Sequence, residues 1–324
     1  MNEPPTLASQ PRRAGDDWLT ESLDDGFRYS IRSSRVLCKF RSAYQCVEIH
    51  ESDSFGRLMV LDGSFMVSER DEFFYHENLV HVPACTHPRP VSALIIGGGD
   101  GGAAEELLKH ACIRQVTLVE IDPAVIDVAR TYLHSVHRGV INEEGGHPNL
   151  RVRIGDGLQY VQNSSDRYDL IILDLTDPGG PSTPLYTADF YQACAARLNP
   201  GGILGLHVAS PFAHPDRIVA TLTALRSGFE IVRPYMVTVP LSGGPWMMAC
   251  ASNTLDPATL CAAAADTRIS TRCITDLQLY NGSTHQAAMA LPNFVRSVVA
   301  LAEGKAQDGI SRTPRPAAPG CSTP

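Results

Sequence analysis

Two aspartates, Asp174 and Asp177, stand at the end of a short apolar run in the stretch YDLIILDLTDPGGPSTPLY, from Tyr168 to Tyr186. Leu170 to Leu173 have strand character, and the Pro/Gly-rich segment after Asp177 cannot continue as helix or strand. In an open α/β sheet the carboxyl ends of the strands form the crevice where ligands bind, so acids delivered there are a site candidate. Paired carboxylates can take up a proton or hold a cation. The plainer reading of the same residues is that Asp174 caps a turn and Asp177 is solvated.

A third acid lies inside a glycine loop, Gly97-Gly98-Gly99-Asp100-Gly101-Gly102, which follows an expected strand and opens an expected helix. Gly97 and Gly99 would let the backbone approach a ligand, although Gly97 could equally serve a tight strand-to-helix turn. The next strand ends in Glu120, about twenty residues on, where such folds place an acid against ribose hydroxyls. Together these predict a bound nucleoside. A pyrophosphate at this loop would meet the Asp100 carboxylate, so NAD or FAD is disfavoured and a cationic ligand fits better. S-adenosylmethionine and its relatives carry a sulfonium and an amine. Asp156, in IGDG at the end of the following strand, would face the adenine; the alternative is a turn-forming Asp-Gly.

The elements that must position these acids form two groups. Between Phe27 and Val67, short β-rich segments broken by turns such as Asp62-Gly63 predict a small antiparallel unit with hairpins. Ser68 precedes an acidic first turn, Glu69, Asp71 and Glu72, and the apolar stripe Phe73, Phe74, His76, Leu79 and Val80 predicts a helix ending near Pro83. From Ser92 strands alternate with helices, and FEIVRPYMVTV with PWMMACAS closes the series as an antiparallel pair. The expected fold is α/β, a doubly wound, Rossmann-like (class I methyltransferase-like), mainly parallel sheet preceded by a small antiparallel β domain. The expected boundaries are a disordered leader over 1–15, the β domain with its linking helix over 16–88, the catalytic domain over 89–302 and a disordered tail over 303–324. No internal repeat is visible.

Composition narrows the classes. A chain of 324 residues that is 44% hydrophobic can fill a real core. No apolar run approaches the roughly 18–20 residues of a membrane span, and the first residues lack the apolar core of a secretory signal, so a cytoplasmic location is expected. A net charge of -8 argues against nucleic acid and is compatible with a cationic ligand. The nine cysteines include no C-x-x-C pair and the eleven histidines no H-E-x-x-H, so no metal site is expected and most thiols are read as small core residues.

Taken together, WLTE at Trp18, YQ at Gln45, FGRLMVLDG, SERDEFFYHE, LIIGGGDGG, VEID, IGDG, DLTDPGGP, LNPGG and YNGSTHQAAMALP resemble the polyamine aminopropyltransferase family, over about residues 16 to 302. The resemblance implies transfer of an aminopropyl group from decarboxylated S-adenosylmethionine, a co-substrate and not a cofactor, to a diamine, releasing 5'-methylthioadenosine. It implies that Gln45, Glu120, Asp156, Gly157 and Pro181 hold the nucleoside, and that Asp100 binds the donor's amine. It further implies that Tyr75 and His76 line the polyamine channel, that Asp174 is the general base and that Asp177 anchors an acceptor amine. From residue type alone, His76 and Tyr75 would be packed side chains; His81 and His87 stay structural. A homodimer is implied by the family only.

The chemistry agrees. A primary alkyl amine, with a reference pKa of about 10.4, is protonated at neutral pH, and a carboxylate must strip it before the nitrogen can attack the carbon beside the sulfonium. Two neighbouring acids titrate together, so Asp174 and Asp177 are expected to be a coupled pair. The Gly179 to Pro184 stretch has the composition of a mobile lid. Two segments depart from the family pattern, Leu206-His207-Val208-Ala209-Ser210-Pro211 and Val239-Pro240-Leu241-Ser242-Gly243-Gly244; the latter lacks the tyrosine of a P-T-Y segment. Both alter the acceptor end. Putrescine, giving spermidine, is the expected acceptor, with cadaverine, a longer polyamine or an unrelated amine as alternatives. A methyltransferase on the same fold and a non-catalytic binder are the competing functions.

Overall fold

The computed structural model describes residues 18–305; the expected leader over 1–15 and most of the tail over 303–324 lie outside them. Six strands come first: β1 (Trp18–Ser22), β2 (Arg28–Arg32), β3 (Arg35–Arg41), β4 (Cys46–Ser52), β5 (Gly56–Leu61) and β6 (Ser64–Ser68). β3 to β6 form an antiparallel sheet in chain order, while β1 and β2 pair as a separate ribbon. The β5–β6 hairpin turns on Asp62 and Gly63, both at positive φ (47° and 89°), as a tight two-residue loop demands. β1 was not expected, because WLTES carries no apolar run.

Helix α1 (Glu72–Thr86) differs from expectation at both ends. Ser68 does not cap it: its hydroxyl donates to Asp71 Oδ1 (2.6 Å), while Asp71 Oδ2 accepts the Leu241 N–H (2.7 Å). Nor does Pro83 end it. A mid-helix proline costs about 3 kcal/mol, but Leu79, Val80 and Val82 are fully buried, and each such side chain contributes about 1.5–3 kcal/mol. Burial wins, and the helix stops only where Pro88 forbids another turn.

Beyond it come β7 (Ser92–Gly97), α2 (Gly102–Leu108), β8 (Gln115–Glu120), α3 (Pro123–Tyr132), α4 (His134–His137), β9 (Leu150–Ile154), α5 (Gly157–Asn163) and β10 (Tyr168–Asp174). They are followed by α6 (Ala188–Arg197), β11 (Leu198–Ala209), α7 (Pro215–Leu225), β12 (Ile231–Val239) and β13 (Gly244–Ser252). The seven strands from β7 onward order as β12-β13-β11-β10-β7-β8-β9, with only β13 antiparallel to its neighbours. Successive residues of β10 feed opposite cores, Leu170 and Ile172 on one face and Ile171 and Leu173 on the other. That explains the unbroken apolar run.

Three further helices, α8 (Ala262–Thr271), α9 (Gly282–Ala288) and α10 (Asn293–Ala302), lie outside the strand–helix alternation. Buried Glu77 of α1 accepts the N–H groups of Gln278, Leu279 and Tyr280, tying this region down. His81 is structural: it bridges His110 (2.9 Å) and Glu106 (2.8 Å) between α1 and α2. The eight described cysteines are free thiols; Cys85, Cys194 and Cys250 are buried in the core, Cys38 and Cys112 pack partly buried against it, and Cys261 and Cys273 are exposed. Among the described residues no helix is long and apolar enough to cross a membrane.

Candidate active site

Strand register brings the acidic stretch onto the glycine loop. Asp174 lies directly opposite Gly97 in the β10–β7 pair, and the Gly98 N–H donates to the Asp174 carbonyl oxygen (2.9 Å). Gly97 has φ +81°, and a Cβ there would stand 2.1 Å from that same oxygen. Only glycine fits. β7 and β10 flank the point where the strand order reverses, which is where such sheets bind ligands.

One cavity over this edge is lined by every residue singled out from the sequence: Gln45, Tyr75, His76, Gly97, Gly99, Asp100, Glu120, Asp156, Gly157, Asp174, Asp177 and Pro181. Its lining holds six carboxylates and, among the described residues, neither lysine nor arginine.

At its centre Asp174 Oδ1 accepts the Tyr75 hydroxyl (3.0 Å), while Oδ2 is buried without a hydrogen-bond partner. His76, carried one residue along α1, places Nδ1 2.8 Å from Glu72 and Nε2 3.6 Å from Asp100 and 3.9 Å from Asp174. Burial opposes protonation of His76, but Asp100, then Glu72 and Asp174, outweigh it and lift the imidazole to about 10. It is therefore an imidazolium at neutral pH. Burial and then the Asp100 charge raise Asp174 to about 6, against the pull of His76 and Tyr75. The acid acting on Asp174 is thus Asp100, not Asp177 as the sequence spacing suggests.

Asp174 can take up a proton only when ionised, so if it serves as a base kcat/KM should rise with pH through about 6. In His76→Gln the cation that holds Asp174 down is gone while Asp100 remains, so the acid limb should move to higher pH. A pH profile with an unmoved or lowered limb would contradict this charge arrangement.

The end of the cavity at Gln45 and Glu120 links both parts of the fold. Gln45 Nε2 donates to Asp122 Oδ2 (3.0 Å), and the Asp122 N–H donates to Glu120 Oε1 (2.9 Å). Burial raises Glu120 to about 7, with the backbone N–H of Asp122 pulling the other way. Asp156 is the N-cap of α5, accepting from Leu158 (2.8 Å) and Gln159 (3.3 Å). It is a helix cap that also lines the cavity, not merely a turn residue.

Asp177 is partly solvated, its side chain 36% exposed, but it is also ion-paired. Its Oδ2 receives Arg217 Nη1 of α7 (2.5 Å), its Oδ1 is buried without a hydrogen-bond partner, and His207 Nδ1 lies 3.9 Å away. Burial pushes His207 below its ordinary value. Tyr186 donates to the Thr176 carbonyl (2.9 Å) and stands 3.1 Å from His207 Nε2. Pro181 reaches the cavity from an exposed turn whose next residue, Ser182, is tethered to the Asp177 carbonyl (2.9 Å). Sequence reasoning missed Trp246, stacked near His207 (6.3 Å between rings, 21° between planes), and the pair Glu21 and Tyr29 (2.6 Å) on the β1–β2 ribbon. WLTE carried the Glu21 signal, and one of only two tryptophans in the chain was the clue to the other. Arg217 had none.

A mainly parallel seven-stranded sheet with a glycine loop and an acidic cavity over its carboxyl edge defines a Rossmann-like fold of the class I methyltransferase type with a site suited to a cationic ligand. Comparison with known proteins narrows this. The family model described as the spermine/spermidine synthase domain matches residues 72–259, and the one described as the spermidine synthase tetramerisation domain matches 17–69. The polyamine aminopropyltransferase of Nitrosomonas europaea is 43% identical over 312 residues, 95% of each chain. A crystal structure of a spermidine synthase in complex with the transition state analogue AdoDATO superposes with a TM-score of 0.82 at 33% identity, covering 91% of this chain and 99% of that one. The spermidine synthase of Thermotoga maritima gives 0.79 at 32% identity, covering 91% and 98%. The chain belongs to the spermine/spermidine synthase family of polyamine aminopropyltransferases.

Proposed function

We propose that the protein moves the aminopropyl group of decarboxylated S-adenosylmethionine to a diamine, putrescine foremost, giving spermidine and 5'-methylthioadenosine. The observation that carries this reading is the cavity lining, six carboxylates with no lysine or arginine among the described residues. Such a site attracts amines and a sulfonium and repels phosphates and carboxylates. Asp100 receives the donor's amine, where the carboxylate of intact S-adenosylmethionine would be repelled. Glu120 and Gln45 hold the ribose end.

Asp174 Oδ2, buried and unpartnered, takes the proton of the attacking amine. The nitrogen lone pair closes on the carbon beside sulfur, the C–S bond breaks, and its electrons stay on the sulfur of methylthioadenosine. The sulfonium is already an activated leaving group, so no metal is needed. Residues 179–184 close over the reaction as a lid. The family description of residues 17–69 supports an oligomer; a homodimer acting in the cytoplasm is the finer form of this reading.

The test offers decarboxylated and intact S-adenosylmethionine with a panel of amines and identifies products by mass. Aminopropylated diamine from the decarboxylated donor alone is expected. A methylated amine from the intact donor would overturn the reading.

A further inference from the structure

Asp177 uses its two oxygens unequally. Oδ2 is engaged at 2.5 Å by Arg217 Nη1, whereas Oδ1 is buried and has no hydrogen-bond partner, in a residue that lines the cavity and whose side chain is 36% exposed. Arg217 itself does not line the cavity; it reaches Asp177 from behind, from the first turn of α7, with its side chain 24% exposed. A buried carboxylate oxygen without a donor is costly, and a ligand N–H is what would relieve it. His207, held toward its neutral form by burial, lies 3.9 Å from that oxygen and adds no second cation to the spot.

Building on the proposed activity, we infer that Arg217 is the positioning residue for diamine selectivity: by pinning Oδ2 it fixes Asp177 so that Oδ1 receives the acceptor's distal nitrogen. An unpinned carboxylate could rotate and share its charge between both oxygens. A guanidinium pin restricts it to one geometry, and ordering of that kind favours ligands that use the fixed oxygen. The nitrogen that attacks the donor meets Asp174 instead, so Arg217 acts on the far end of the acceptor. An acceptor that lacks a distal nitrogen has nothing for Arg217 to act on.

The experiment compares butane-1,4-diamine with butan-1-amine as acceptors in wild type, Arg217→Met and Arg217→Lys, each checked by thermal unfolding. The ratio of kcat/KM for diamine over monoamine should fall about tenfold in Arg217→Met, through the diamine KM, a loss in the range of a partly exposed charge pair. Arg217→Lys should restore part of it. Both acceptors are read on the same sample, so a misfolded fraction cancels from the ratio. An unchanged ratio, or equal loss on both acceptors, would overturn the inference while leaving the transferase reading standing. Absence of transfer from wild type to any amine would sink both.

Discussion

Asp174→Asn should lower turnover by about two to four orders of magnitude, the usual range for a positioned general base, while binding of 5'-methylthioadenosine survives. Asparagine keeps the shape and can still accept the Tyr75 hydroxyl, now 3.0 Å from Asp174 Oδ1. What it loses is the ability to take a proton at the other oxygen, which is buried and unpartnered in the native site. Gln45, Glu120 and Asp156, proposed to hold the nucleoside, stand on other elements, so the two functions should separate. Single-turnover kinetics for the chemical step and calorimetry for the nucleoside would show this. Turnover near the wild-type level would remove Asp174 from the role of base.

Gly97→Ala should destabilise the protein by about 2–5 kcal/mol, adding the cost of a left-handed residue to that of forced overpacking. Its φ is +81° and its new Cβ would meet the Asp174 carbonyl oxygen at 2.1 Å. That oxygen belongs to the backbone and cannot swing aside; relief would push Asp174 off the loop. Activity should be lost along with stability. Gly155→Ala, in IGDG, is the control, since nothing lies within 4 Å of its added Cβ. It should change stability by no more than about 0.5 kcal/mol. Thermal unfolding of the pair checks the contrast, and equal melting shifts would refute the steric argument.

The sheet and its acidic edge were legible because their signals are local. Continuous apolar runs ending in acids mark buried parallel strands, and GGGDGG needs only consecutive residues to announce its turn. Helix α1 was legible in kind but not in extent, since the burial that carries it past Pro83 comes from distant strands. β1 was too short and polar to be seen, yet it brings Glu21 to the cavity.

By itself the sequence determined that a glycine loop and several acids meet at the carboxyl edge of a parallel sheet, a place suited to a cationic ligand. Those residues sit on contiguous motifs, and carboxylate charge is written in residue type. Only the tertiary structure decided which charges face one another: Asp100 and His76 on Asp174, Arg217 on Asp177. The reason is that proton affinity depends on burial and on neighbours a few ångströms away in space, and these neighbours arrive from α1, the glycine loop after β7, the end of β10 and α7. Spacing along the chain paired Asp174 with Asp177; distance across the sheet edge paired each with something else.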